Sequence, residues 1–64
     1  MGATHITPQE VVEMHRLYKQ LGTYAAVGRQ MNPPRAASTV AKYIKMDNVP
    51  SAMRIAVQNL MQNA

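Results

Sequence analysis

Three breaks divide this chain into four short segments, and they constrain its fold more than any other feature. Gly22 closes the first segment, an Asn-Pro-Pro sequence at residues 32–34 closes the second, and residues 47–50 close the third. Proline interrupts a helix, and the residue before it is pushed out of the helical conformation. Within each segment apolar residues recur at intervals of three and four, and none has the alternation of a strand. The chain is therefore predicted to be all-α, a bundle of three or four short helices.

The first segment carries helix signals at both ends. Thr7 stands at the expected N-cap, Pro8 at the first helical position and Glu10 at the third, which is the pattern of a capping box. Gly22 can adopt the left-handed conformation that closes many helices. The sequence therefore predicts a helix from Pro8 to Leu21.

The second and third segments form a pair around a tight break. Thr23 is placed to cap a short second helix, and Asn32, which tolerates left-handed backbone, is predicted to end it. Two starts are open for the third helix: either the prolines widen the turn, or the helix begins near Pro34 and runs to about Met46. The polar residues predicted to face outward from it are Arg35, Ser38, Thr39, Lys42 and Lys45.

The last segment predicts a fourth helix from Ser51 to about Gln62, capped by Asp47 or Asn48. Its apolar stripe suits three roles: docking on the earlier helices, forming the seam of a homodimer, or beginning a further domain. The predicted division is therefore a tri-helical unit at residues 1–48 and a C-terminal amphipathic helix at residues 49–64.

The balance of charge indicates an anionic partner. Seven Lys and Arg oppose three Asp and Glu, which gives a net charge of +4. The stretch from Met14 to Met46 holds six basic residues and no acidic one. Positive charge segregated in this way is typical of nucleic-acid binding.

Composition and motifs argue against several other classes. The chain has no cysteine and two histidines, too few ligands for a closed structural metal site. No serine, histidine and acid set is spaced as a catalytic triad, and no glycine-rich phosphate loop is present. We therefore expect no enzyme activity, no metal and no cofactor. No apolar run is long enough to span a membrane and residues 1–8 lack a signal-peptide pattern, so we expect no membrane partner.

The outward face of the third helix is the candidate reading surface. An α-helix fits the major groove of DNA, so its exposed face must carry groups that bond base edges and phosphates. Arg35 has a planar fork that pairs with both acceptors of guanine, and Ser38 and Thr39 are small enough for close approach. The predicted groove contacts are Arg35, Ser38, Thr39 and Lys42, and the predicted phosphate contacts are Lys45, Arg29 and Lys19. Tyr18, Tyr24 and Tyr43 are expected in the core, and His15 is expected to have no functional role.

Two stretches, LYKQLGTYAAVGRQM and, after a break, STVAKYIK, carry a family resemblance. They resemble the helix-turn-helix of resolvase and invertase recombinases, transposases and many phage repressors, over about Val11 to Met46. In that family a small residue lies where the motif helices cross, a glycine forms the turn, and the recognition helix buries an aliphatic residue. The resemblance gives these places to Gly28, Asn32 and Val40. The NPPRAA connection departs from the pattern by two extra residues.

The resemblance implies sequence-specific binding of double-stranded DNA. The expected protein is a small bacterial or phage transcriptional repressor, or its DNA-binding domain, acting at the nucleoid in the bacterial cytoplasm. Two alternatives stay open. The module could direct a recombinase or transposase to its DNA, or it could be a helical protein-interaction module whose basic face meets an acidic partner.

Overall fold

The computed structural model describes residues 5–63, which form four helices. They are α1 (Pro8–Leu21), α2 (Tyr24–Gln30), α3 (Ala37–Lys45) and α4 (Ser51–Gln62), and the described part contains no strand. The prediction of an all-α helix bundle is confirmed. Residues 1–4 and 64, at the outer ends of the predicted division, lie outside the described residues.

Local hydrogen bonds fix the ends of α1 and the start of α2 as the sequence predicts. The Thr7 hydroxyl accepts a hydrogen bond from the Glu10 backbone N–H at 3.2 Å, and the Glu10 carboxylate accepts one from the Thr7 backbone N–H at 3.1 Å. Gly22 closes α1 in the left-handed conformation, with φ 82°. The Thr23 hydroxyl accepts a hydrogen bond from the first turn of α2 at 3.2 Å. Each cap satisfies donors or acceptors that a helix end leaves unpaired.

The connection between α2 and α3 differs from the prediction. α2 ends at Gln30, and Met31 follows in extended conformation with φ −70° and ψ 155°. Asn32 does not have the positive φ expected of it, so its predicted role in closing α2 is wrong. Extended backbone at Met31 closes the helix instead and leaves that side chain buried in the core. Of the two starts open for α3, the structure shows the later one, Ala37, with the prolines in a widened turn.

The turn before α4 and the start of that helix also differ from the prediction. Met46 and Asn48 both adopt left-handed backbone, with φ of 57° and 61°. α4 begins at Ser51 after Pro50, and no side chain caps it. The predicted capping by Asp47 or Asn48 is therefore wrong. These residues form the turn itself, two to three positions before the place where a capping side chain must stand.

α1 is central to the packing. It contacts each of the other helices, and in the described part the remaining contact is between α2 and α3. The buried apolar cluster is Ile6, Val11, Met14, Val27, Met31, Val40 and Val57. Val57, which is 1% exposed, brings α4 into this cluster. Docking on α1 is thus the role that the structure shows for α4, and the tri-helical unit and the last helix share one core.

Gly28 sets the distance between α2 and the segment that leads into α3. Its carbonyl oxygen accepts a hydrogen bond from the Arg35 backbone N–H at 2.9 Å. A Cβ at residue 28 would overlap the backbone carbonyl of Arg35. Backbone approach this close requires glycine. The contact fixes where the chain enters α3.

Candidate nucleic-acid interface

The exposed face of α3 carries one polar stripe. Ser38, Lys42 and Lys45 are all exposed and recur at intervals of four and three, which places them in line along one side of the helix. Val40, on the other side, is completely buried. Thr39 is half-buried and lies at the margin of the stripe. The structure therefore brings three of the predicted contacts together and holds their helix to the core by its opposite side.

The stripe keeps its charge. Glu13 pairs with Arg16, and Glu10 pairs with Arg35, so two of the three acidic residues are neutralised within the molecule. Neither Lys42 nor Lys45 has a carboxylate partner among residues 5–63. Once both pairs are set aside, the basic residues that remain are Lys19, Arg29, Lys42, Lys45 and Arg54. Five such charges against Asp47 account for the net charge of +4, and two of them lie on the stripe.

Arg35 lies elsewhere than the sequence indicated. It precedes α3, and its side chain is 10% exposed. Its Nη2 donates hydrogen bonds to Glu10 Oε2 at 2.9 Å and to the His5 carbonyl oxygen at 3.3 Å. The expected place of Arg35 on the outer face of α3 is therefore wrong, because the guanidinium is turned towards α1. Held by Glu10, the guanidinium is not presented to a base edge.

The pair also fixes the charge state of Glu10. Partial burial opposes ionisation of this carboxyl group, but the hydrogen bonds from Arg35 and from the Thr7 backbone N–H outweigh it, so the pKa of Glu10 lies below its usual value. Glu10 thus serves two contacts at once. It completes the cap of α1 and anchors the segment before α3.

The two remaining predicted phosphate contacts lie apart from the stripe. Arg29 is exposed in the last turn of α2. Lys19 lines a groove between α1 and α4 of about 420 Å³, together with Val12, His15 and Met61. The structure thus places Lys19 beside α4, and Lys45 is the predicted phosphate contact that belongs to the α3 stripe.

Three aromatic residues border the stripe, and the sequence pattern had assigned them to the core alone. Tyr18 and Tyr24 are half-buried and stacked, with ring centroids 4.8 Å apart and an interplanar angle of 11°. The Lys45 Nζ lies 5.7 Å from the centre of the Tyr24 ring. The Lys42 Nζ lies 5.5 Å from the centre of the Tyr43 ring. All three rings pack against the buried cluster, as expected, but Tyr24 and Tyr43 also contact the lysines of the stripe.

The side chain of His15, on α1, is partly buried. Its Nε2 is buried and makes no hydrogen bond to any described residue. The Tyr43 backbone lies within hydrogen-bonding reach of the ring. Burial lowers the pKa of His15 below 6.5, and the bond to Tyr43 opposes this in part. His15 therefore joins α1 to the end of α3 in its neutral form.

Residues 5–63 contain no cluster of three His, Cys, Asp or Glu side chains arranged to hold a metal ion. None of the described helices has the length and apolar character needed to cross a membrane. No protein-family model, curated protein or solved structure matches this chain. Function is therefore inferred from the residues themselves.

Proposed function

We propose that this protein binds double-stranded DNA sequence-specifically, with α2 and α3 as a helix-turn-helix and the outer face of α3 in the major groove. The observation that supports this most is the stripe of Ser38, Lys42 and Lys45, which is exposed and has no neutralising carboxylate within residues 5–63. A buried valine, Val40, anchors the same helix from behind. A helix presented in this way meets the requirement for insertion into the groove.

The roles within the stripe follow from the reach of each side chain. Ser38 stands in the first turn of α3, and its hydroxyl can donate to or accept from a base edge at short range. Lys42 is one turn further on and can donate to the acceptors of guanine or to a phosphate. Lys45 lies in the last turn of α3, and we assign it a phosphate contact. Thr39, at the margin, can support either kind of contact.

The biological role we propose is a small bacterial or phage transcriptional repressor, or the DNA-binding part of one, acting on DNA in the bacterial cytoplasm. One module of this size buries only about 600–1,000 Å² on DNA, so tight binding needs a second copy or a further domain. The same surface would also serve as the targeting module of a recombinase or transposase. These roles share one interface and differ in what is attached to it.

Selection from a random duplex library at near-physiological salt tests the proposal, with the oligomeric state measured alongside. We expect an enriched motif. A palindrome would indicate a dimeric repressor, and an asymmetric motif would indicate a single reading module. Recovery of no motif, with protein that is folded by circular dichroism, would contradict sequence-specific binding.

A second candidate function is a protein-interaction module with an acidic partner. The observation that favours it is the groove between α1 and α4, where the apolar side chains of Val12 and Met61 lie beside Lys19. Ile55, elsewhere on α4 and outside this groove, is 60% exposed. An acidic amphipathic helix would complement such a surface. Substitution of Lys19 would weaken this interaction, whereas substitution of Lys42 would weaken DNA binding.

A further inference from the structure

Side chains from three different helices meet at one end of the α3 stripe. Tyr18 comes from the last part of α1, Tyr24 from the first turn of α2 and Lys45 from the last turn of α3. The two rings are stacked at 4.8 Å, and the ammonium group lies 5.7 Å from the centre of one of them. None of the three side chains is in an ion pair with a described residue. The cluster is therefore a set of hydrogen-bond donors that no acidic side chain of the described part of the chain neutralises.

We propose that Tyr18, Tyr24 and Lys45 together bind one backbone phosphodiester of the DNA. This inference rests on the proposed function. It assigns one phosphate contact to a site that includes two tyrosines, which the sequence pattern predicted for the core. Lys45 belongs both to the stripe and to the cluster, so a duplex lying along α3 brings its backbone to the two phenols. The ligand is an anionic phosphate diester, for which O–H and N⁺–H donors are matched partners.

The chemistry of the tyrosine pair suits an anion. When two phenols share a hydrogen bond, one proton is used between them and the other remains available to an outside acceptor. The hydrogen bond to Tyr24 raises the pKa of Tyr18, and the charge of Lys45 only partly offsets this, so Tyr18 stays protonated. A neutral phenol donates to a phosphate oxygen, whereas a phenolate would repel it.

Burial distinguishes these rings from residues that serve only the core. Val11 and Met14, on the same helix as Tyr18, are completely buried. Tyr18 and Tyr24 pack against the cluster but stay partly exposed. Stacking holds the two rings in a fixed orientation, which lowers the entropy lost when a phosphate is bound.

The test uses the full chain and the duplex selected in the library experiment. The double variant Tyr18→Phe with Tyr24→Phe keeps both rings and removes both phenolic donors, and Lys45→Ala removes the ammonium. The control is Arg54→Ala, which removes a positive charge on α4, away from the cluster. We expect the double variant and Lys45→Ala each to bind about tenfold more weakly with an unchanged sequence preference, and the control to bind like the parent.

Two measurements distinguish a contact at this site from a general loss of DNA affinity: the salt dependence of binding, and binding to a duplex in which one phosphate is neutral. Lys45→Ala should reduce the magnitude of the log–log salt slope by about 0.9, while the tyrosine double variant should leave it unchanged, because neutral donors displace no counterion. Replacing the contacted phosphate of the DNA with a single uncharged methylphosphonate should weaken binding by the parent protein. On that duplex the double variant and Lys45→Ala should bind no more weakly than the parent. If the double variant binds every duplex as the parent does, the phosphate site is wrong while the proposed function stands. If the parent itself binds no duplex, both are wrong.

Discussion

The Arg35 guanidinium lies 2.9 Å from the Glu10 carboxylate, between the first turn of α1 and the segment that enters α3. The Arg35 backbone N–H meanwhile donates to the Gly28 carbonyl oxygen. Arg35 is thus held twice, once by its side chain and once by its backbone. The residue that looks best suited to reading guanine instead positions the helix that presents the other contacts.

Arg35→Ala is expected to destabilise the fold without relaxing base preference. The pair with Glu10 is mostly buried, so its loss should cost about 2 kcal/mol of unfolding free energy. Urea denaturation measures this, and Arg16→Ala is the matched control, because the Arg16–Glu13 pair is exposed and should contribute little. Loss of discrimination at a single base pair in Arg35→Ala would restore the base-reading role and contradict this account.

Gly28→Ala is expected to be much more damaging than Gly22→Ala. At residue 28 a Cβ meets the backbone carbonyl of Arg35, which cannot move aside, so we expect a loss of about 3 kcal/mol. At residue 22 nothing lies within 4 Å, and the cost is the left-handed conformation alone, about 1 kcal/mol. Thermal and urea unfolding of both variants provide the comparison. Equal losses would show that α2 does not approach the entry to α3 as described.

α4 should contribute to stability through the buried Val57 and not through the exposed Ile55. Val57→Ala removes two methyl groups from a fully buried site, which should cost about 2 kcal/mol. Ile55→Ala, on the exposed side of the same helix, should change stability by less than about 0.5 kcal/mol. Urea unfolding compares the two variants. A docked α4 is ruled out if Val57→Ala is as stable as the parent protein.

Stability should fall as the pH drops through 6.5 because of His15. Its folded-state pKa is lowered by burial, so as the pH falls through 6.5 the unfolded chain takes up a proton before the folded protein does. The stability linked to neutral His15 is complete above that pH and is lost as the pH falls towards the folded-state pKa. His15→Gln should flatten this part of the profile, while His5→Gln, at an exposed position, should keep it. An unchanged pH profile in His15→Gln would show that the neutral imidazole is not favoured in the folded state.

Local interactions explain which parts of the fold were predictable. The cap formed by Thr7 and Glu10 joins residues three apart, so the sequence contains all of it. The buried side of α3, with Val40 at its centre, follows from helical periodicity alone. Gly22 closes α1 through its own backbone freedom, which is likewise a property of one residue.

Contacts between distant parts of the chain explain what was missed. Arg35 and Glu10 are separated by 25 positions, and nothing in either residue's neighbourhood indicates the other. Asn32 is a good left-handed residue, but the burial of Met31 decided the backbone at the end of α2. The stacking of Tyr18 on Tyr24 depends on the angle at which α1 and α2 meet, which periodicity does not specify.

Binding of the selected duplex by Lys42→Ala and Arg54→Ala tests the central claim most directly. Both variants lose one positive charge from an exposed position, but Lys42 lies on the α3 stripe and Arg54 on α4, which contacts neither α2 nor α3. The account predicts that Lys42→Ala binds about tenfold more weakly or worse, with a smaller salt slope or reduced discrimination, and that Arg54→Ala binds like the parent. Equal weakening by the two variants would mean that overall charge, and not the face of α3, attracts DNA, and would contradict the account.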